Sequence, residues 1–125
     1  METRQIKFKA KRLDNKGWVI GDLLHSYENG AIIAPIEEGG AFSVDPSTVC
    51  QFTGIYDKDN KEIFENDLIQ DIQTKEVFAV VWNAVYACYS FLDEKRNKYA
   101  AKNFADYPSK YFLIVGNKFD RKEKK

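Results

Sequence analysis

Apolar and polar positions alternate along much of the chain with a period of two, the spacing at which strand side chains change face. Ile6, Phe8 and Ala10 alternate with Lys7, Lys9 and Lys11, which predicts a half-exposed strand over residues 6–11. Asp14-Asn15-Lys16-Gly17 reads as a turn, and residues 18–24 as a second strand, so the two form a hairpin. A turn at Glu28-Asn29-Gly30 leads into the short apolar run Ala31-Ile32-Ile33-Ala34, the mark of a buried strand. Glu37-Glu38-Gly39-Gly40 turns the chain into a strand over 41–44, which Pro46 closes off. Residues 48–52 are strand-like and the run ends at Gly54. A polar loop over 56–62 and a compact turn over 63–67 lead into a strand over 68–72. Residues 77–82 form a β-rich strand. After Asn83-Ala84, residues 85–91 place Val85, Ala87, Tyr89 and Phe91 on one face. A final strand over 111–115 is turned by Gly116-Asn117.

Residues 93–109 break the pattern. They hold helix formers but no apolar stripe, so a short helix and a loop both fit, with Pro108 ending either. Many short strands punctuated by turns predict an all-β, mainly β fold: a β-barrel or sandwich with at most one short helix. A single domain is expected over residues 1–119, with a charged, disordered tail over 120–125. Strand–helix alternation is missing, which argues against a doubly wound α/β fold.

With 125 residues the chain can build a core without disulfide or metal staples. The aromatic share of 14% reinforces the strand reading, because aromatic side chains suit a pleated, half-buried surface. Formal net charge is zero but unevenly placed. Residues 1–16 carry six Lys/Arg against two acids, residues 17–93 three against thirteen, and residues 94–125 ten against four. Pairing of the basic ends with the acidic middle is expected over one continuous basic face, since a neutral chain is a poor nonspecific nucleic-acid ligand. The start of the sequence lacks the apolar stretch of a secretory signal, and no apolar run reaches the length of a membrane span. These features predict a cytoplasmic protein with reduced thiols at Cys50 and Cys88.

Candidate chemistry is sparse. Asp57, Asp59, Glu62, Glu65 and Asp67 form the densest acidic cluster. A calcium loop would place an oxygen ligand where Lys61 stands and Gly where Glu62 stands, so no metal is expected there. A metal-dependent hydrolase at this loop is the minor alternative to a non-enzymatic protein. His25 is the one histidine; a Cys–His couple with Cys50 or Cys88 is disfavoured, because both cysteines sit in apolar strand-like runs where thiols act as packing groups. Trp82, Tyr86, Tyr89 and Phe91 read as core residues in the first place, with a ligand platform as the alternative. Trp82 and Tyr86, with Lys7, Lys9 and Lys11, are the candidate interaction surface.

The stretch from Gln51 to Ile69, with Gln51-Phe52-Thr53-Gly54 at its head and Ile63-Phe64-Glu65-Asn66-Asp67 near its end, resembles the signature of the YopX family. Gly17-Trp18-Val19-Ile20-Gly21 and Val44-Asp45-Pro46-Ser47-Thr48-Val49 upstream extend the resemblance, as do Val80-Val81-Trp82 and Val115-Gly116-Asn117 downstream. Asn60 and Asn66 stand where the family usually has Gly. Asn is the next-best residue at positive φ, so these departures predict left-handed turn positions. Gly54, Asp57, Asn60, Asn66 and Asp67 thus form an expected structural turn motif, in which Asp57 and Asp67 accept backbone N–H bonds. The resemblance implies a mainly β phage or prophage accessory protein of unassigned activity, with no cofactor. The expected role is a non-enzymatic binding module whose partner is a host or phage protein, with homo-oligomers also compatible. The alternative is a nucleic-acid-binding β-barrel using the basic N-terminal strand and the basic C-terminal third.

Overall fold

The computed structural model describes residues 6–26, 30–35, 40–85, 88–99 and 110–120. The period-two segments are strands, and the fold is mainly β, with two antiparallel sheets. The chain divides into two compact units, residues 1–52 and 53–125.

The first unit holds β1 (Phe8–Lys11), β2 (Trp18–Ser26), β3 (Gly30–Ala34), β4 (Phe42–Val44) and the start of β5 (Cys50–Tyr56). Their order in the sheet is β4-β3-β2-β1-β5. Asn15 (φ 64) and Gly17 (φ 94) supply the left-handed conformations of the β1–β2 turn. Arg12 Nη2 donates to Asp14 Oδ2 at 2.6 Å across that turn, and this bond holds the Asp14 carboxyl below its ordinary range. Ala10, Val19, Ala31, Ile33 and Val44 meet as the core, covered by Phe8, Leu23, Phe42 and Val49. In β1 the apolar positions face this core, and Lys9 and Lys11 take the opposite face. The turn predicted at Pro46 is a 3₁₀ turn, Pro46–Thr48. Asp45 caps it by accepting from Ser47 N, and Pro46 occupies the first turn, where a missing N–H is harmless.

β2 changes partner midway. Its first half pairs with β1, from Lys11↔Trp18 to Phe8↔Gly21, and its second half with β3, from Asp22↔Ala34 to Ser26↔Gly30. Gly21 lies at the switch, where a Cβ would overlap the Ala34 carbonyl. Only a residue without a side chain allows this approach. An isolated bridge, Arg12↔Val44, ties β4 back to the end of β1 without extending a ladder. Among the described residues neither sheet closes, so of the expected barrel or sandwich the barrel is excluded and two open sheets remain. The β1 ladder is too short to continue along β4, and a single bridge leaves the sheet with two edges.

In the second unit, the rest of β5 lies beside β6 (Glu62–Phe64). A five-stranded sheet follows in the order β10-β9-β8-β7-β11. Its strands are β7 (Asp67–Asp71), β8 (Val77–Asn83), β9 (Cys88–Asp93), β10 (Lys98–Tyr99) and β11 (Phe112–Asn117). The core gathers Ile63, Ile69, Phe78, Val80, Phe91 and Phe112. Phe112 meets Phe78 and Phe91 edge-on, with centroids 5.9 and 5.4 Å apart, the geometry that ring quadrupoles favour.

Residues 93–99 are neither the helix nor the open loop expected from their composition. Asp93 Oδ1 accepts from Lys95 N and Arg96 N, Asn97 takes φ 52, and β10 pairs back on β9. The side-chain cap and the left-handed Asn outweigh helix propensity. Residues 100–109 and 121–125, on which the helix and tail expectations fall, lie outside the described residues. β9 starts later than expected: Val85 belongs to the turn and is exposed, while Asn83 Oδ1 accepts from Val85 N.

Substituting Gly21→Ala is expected to destabilise the protein by about 2–3 kcal/mol, since the overlap is with backbone and neither strand can yield without losing its register. Chemical denaturation of the variant beside wild type measures this; an unchanged midpoint would refute the close approach.

Candidate functional site

Asp57 with Asn60, and Asn66 with Asp67, form two separate turns, while Gly54, expected in the turn motif, lies within strand β5. Gly54 has φ 83 with open space where a Cβ would stand, so backbone conformation alone selects glycine. Asn60 (φ 62) and Asn66 (φ 67) both adopt the left-handed conformation expected of them.

Asp57 is 2% exposed and organises the first turn. Its Oδ1 accepts from Asp59 N and Lys61 N, both at 2.9 Å, and its backbone N donates to Lys61 O. Its Oδ2 reaches across to accept from Ile114 N at 3.0 Å. Beside it Lys58 N donates to Phe112 O at 2.8 Å. These two contacts have a topological meaning. Tyr111 O faces the β7 side, where Ile72 N donates to it. Strand alternation therefore turns the groups of Phe112 and Ile114 outward, to the open edge of β11. The Asp57 turn occupies that edge, where unpaired groups would otherwise invite another strand. Val115, at the register shift that follows, is exposed.

Asp67 is 1% exposed. Its Oδ2 accepts from Phe64 N at 2.8 Å and closes the turn between β6 and β7. Its Oδ1 accepts from Asn117 Nδ2 at 2.9 Å, and Asn117 Oδ1 in turn accepts from Phe119 N. Asn66 joins the network through its backbone: its N donates to Val80 O and its O accepts from Lys118 N. The oxygens of Asp57 and Asp67 thus face fixed donors, an arrangement suited to holding backbone rather than to moving a proton or ligating a metal. Among the described residues no three His, Cys, Asp or Glu side chains gather in a metal-binding group. Asp59 is exposed, and Glu62 and Glu65 are half-buried.

The same device recurs where the sequence reading did not place it. Asp71 Oδ1 accepts from Gln73 N and Thr74 N, and Asp93 caps the turn before β10. An Asp followed by a short polar stretch is the available signal. Asn117, taken from sequence for a turn residue, is the side chain that Asp67 holds.

The aromatic hairpin departs from its expected burial. Phe91 is in the core and Tyr89 packs against it, but Trp82 is 52% exposed. Trp82 stands opposite Tyr89, edge-on, with centroids 5.1 Å apart. The alternation of β8 carries Phe78 and Val80 into the core, whereas Trp82 lies one residue from the strand's end, past the last core layer. Tyr86 lies outside the described residues. On the first unit, Lys9 and Lys11 place their ammonium groups over the Trp18 ring at 4.9 and 5.6 Å, and Lys7 lies over Phe52 at 5.0 Å. Cys50 is buried and its Sγ donates to Thr48 O at 3.2 Å. Cys88 is only half-buried, near Ser90 Oγ, because it opens β9 at a strand end. The His25 side chain lies outside the description.

Asn66→Gly is expected to leave stability nearly unchanged, whereas Asn66→Val costs about 1–3 kcal/mol through strain at positive φ. Asp67→Ala, which strands Phe64 N and Asn117 Nδ2 without their acceptors, costs about 2–4 kcal/mol. Thermal melts of the three variants rank them; equal melting temperatures for Asn66→Val and wild type would refute the turn assignment.

No curated protein matches the chain. Among protein families, the model described as YopX protein matches residues 7–123, nearly the whole chain. A match of that length, spanning both units and both aspartate-capped turns, shows that this chain belongs to the YopX family.

Proposed function

We propose that this YopX protein is a non-enzymatic binding module, a phage or prophage accessory protein acting in the cytoplasm of a bacterial host. Its partner on this reading is a host or phage protein. The observation that carries the proposal is the exposed end of the β8–β9 hairpin, where Trp82 is propped edge-on by Tyr89 beside Val85, 84% exposed. A large, rigid aromatic held out of the core is the residue type that most often dominates a protein interface. The engagement of Asp57 and Asp67 by backbone and amide donors supports a structural rather than catalytic use of the motif. Among the described residues no helix is long and apolar enough to cross a membrane.

A second reading rests on the first unit. Lys7, Lys9 and Lys11 recur at every second residue, with Phe52 and Trp18 beneath them, so β1 presents a row of cations on aromatic rings. Such a row suits the phosphates of single-stranded nucleic acid. The zero net charge of the chain weighs against it.

Tagged protein used as bait in phage-infected host cells is expected to retain a specific partner that Trp82→Ala, folded by its circular dichroism, loses by tenfold or more. Equal retention by the variant would remove the hairpin from the interface. Binding of a labelled single-stranded oligonucleotide with a steep salt slope, lost in a Lys7→Glu/Lys9→Glu/Lys11→Glu variant, would replace the first reading with the second.

A further inference from the structure

A cavity of about 450 Å³ opens in the second unit between the β7–β8 turn and the β9–β10 turn. Leu68 and Val77 supply its apolar lining; Lys75, Glu76, Asp93, Glu94, Lys95 and Arg96 surround it. Three cations and three anions look self-cancelling, but their partners are unequal. Arg96 reaches both Glu76, at 3.5 Å, and Asp93, at 3.8 Å. Asp93 also accepts two backbone amides, and Glu94 is engaged as well. The carboxylates of Glu76 and Asp93 are therefore occupied. The ammonium groups of Lys75 and Lys95 make no ion pair among the described residues, and both side chains are exposed. Two cations with no ion pair among the described residues thus share with Leu68 and Val77 the lining of a cavity of the size that takes small ligands.

The backbone supplies an independent observation. Lys75 has φ 66. Every other described residue at positive φ is Asn or Gly: Asn15, Gly17, Gly30, Gly40, Gly54, Asn60, Asn66 and Asn97. This chain uses the residues that tolerate the left-handed region wherever a turn alone is needed. Among the described residues it keeps a lysine there at one position only, against backbone preference, in the lining of the cavity. Strain retained at one point is a pointer to use of the side chain.

We propose that this cavity binds a small organic anion with an apolar body, such as an aliphatic or aromatic carboxylate. Lys75 and Lys95 receive the carboxylate, and Leu68 and Val77 receive the hydrocarbon. Arg96, shared between Glu76 and Asp93, offsets part of their charge beside the ligand. This site lies apart from the Trp82 hairpin, so it stands or falls separately from the binding-module reading.

The test uses the full chain, labelled for nuclear magnetic resonance, with 4-phenylbutyrate as probe and 4-phenylbutylamine as control. The carboxylate is expected to shift the Leu68 and Val77 methyl resonances and the Lys75 and Lys95 amides saturably, with a Kd of about 1 mM. The amine is expected to leave them unmoved. Lys75→Asn is expected to raise the melting temperature by about 2–5 °C, by relieving the backbone, while weakening the carboxylate about fivefold. Lys95→Glu, which leaves the backbone alone, is expected to weaken it at least as much. Equal shifts with the amine, no saturable shift with the carboxylate, or an unchanged affinity in both variants would overturn the proposal. A Lys75→Asn variant that melts no higher than wild type would overturn the strain argument.

Discussion

Buried side-chain oxygens must meet donors, and here the donors are backbone amides of tight turns. Asp57 and Asp67 are sealed among apolar strands, and each can be there because the chain folds its own N–H groups onto it. The rest of the second unit follows from that requirement. Asp57 cannot accept Ile114 N unless β11 lies beside its turn, and Asp67 cannot accept Asn117 Nδ2 unless the end of β11 is in register with the start of β7. Two side chains thereby hold strands more than 40 residues apart in sequence. The same contacts occupy part of the β11 edge, so the device that orders the sheet also limits its extension.

This arrangement also directs where function can reside. The most distinctive segment of the sequence, from Gln51 to Ile69, is consumed by architecture. The carboxyl groups of Asp57 and Asp67 are committed, and Asn60 and Asn66 serve backbone conformation. The features on which the proposed recognition rests are peripheral: the propped Trp82, the lysine row over Trp18 and Phe52, and the cavity where Lys75 holds a left-handed turn. Trp82 stands near the end of a strand and the lysine row on the outer face of one, whereas Lys75 lies in the turn between β7 and β8.

Much of this was legible beforehand for local reasons. Period-two alternation located the strand of Ala10, and short apolar or β-rich runs located those of Ile33 and Phe78, all three of which are buried. Asn60 and Asn66 announced left-handed turns because few other residues tolerate them. The misreadings share a cause as well. Trp82 continues the core alternation of β8, but burial depends on whether another layer covers the strand's last residues, and that is no property of the strand itself. Residues 93–99 carry helix-forming side chains, yet the Asp93 cap and the pairing of β10 with β9 override them.

The sequence by itself determined most of the strands, the Asn60 and Asn66 turns and the family, because those rest on hydrophobic patterning, on backbone conformations few residues accept, and on a long contiguous motif. Tertiary structure decided which carboxyl groups are occupied and which cations are not. It also decided that β2 changes partners at Gly21 and that Lys75 and Lys95, twenty residues apart, flank one cavity. Those outcomes depend on which strands become neighbours. Neighbourhood in a sheet is set by pairing between distant segments, each of which, read alone, would accept several partners equally well.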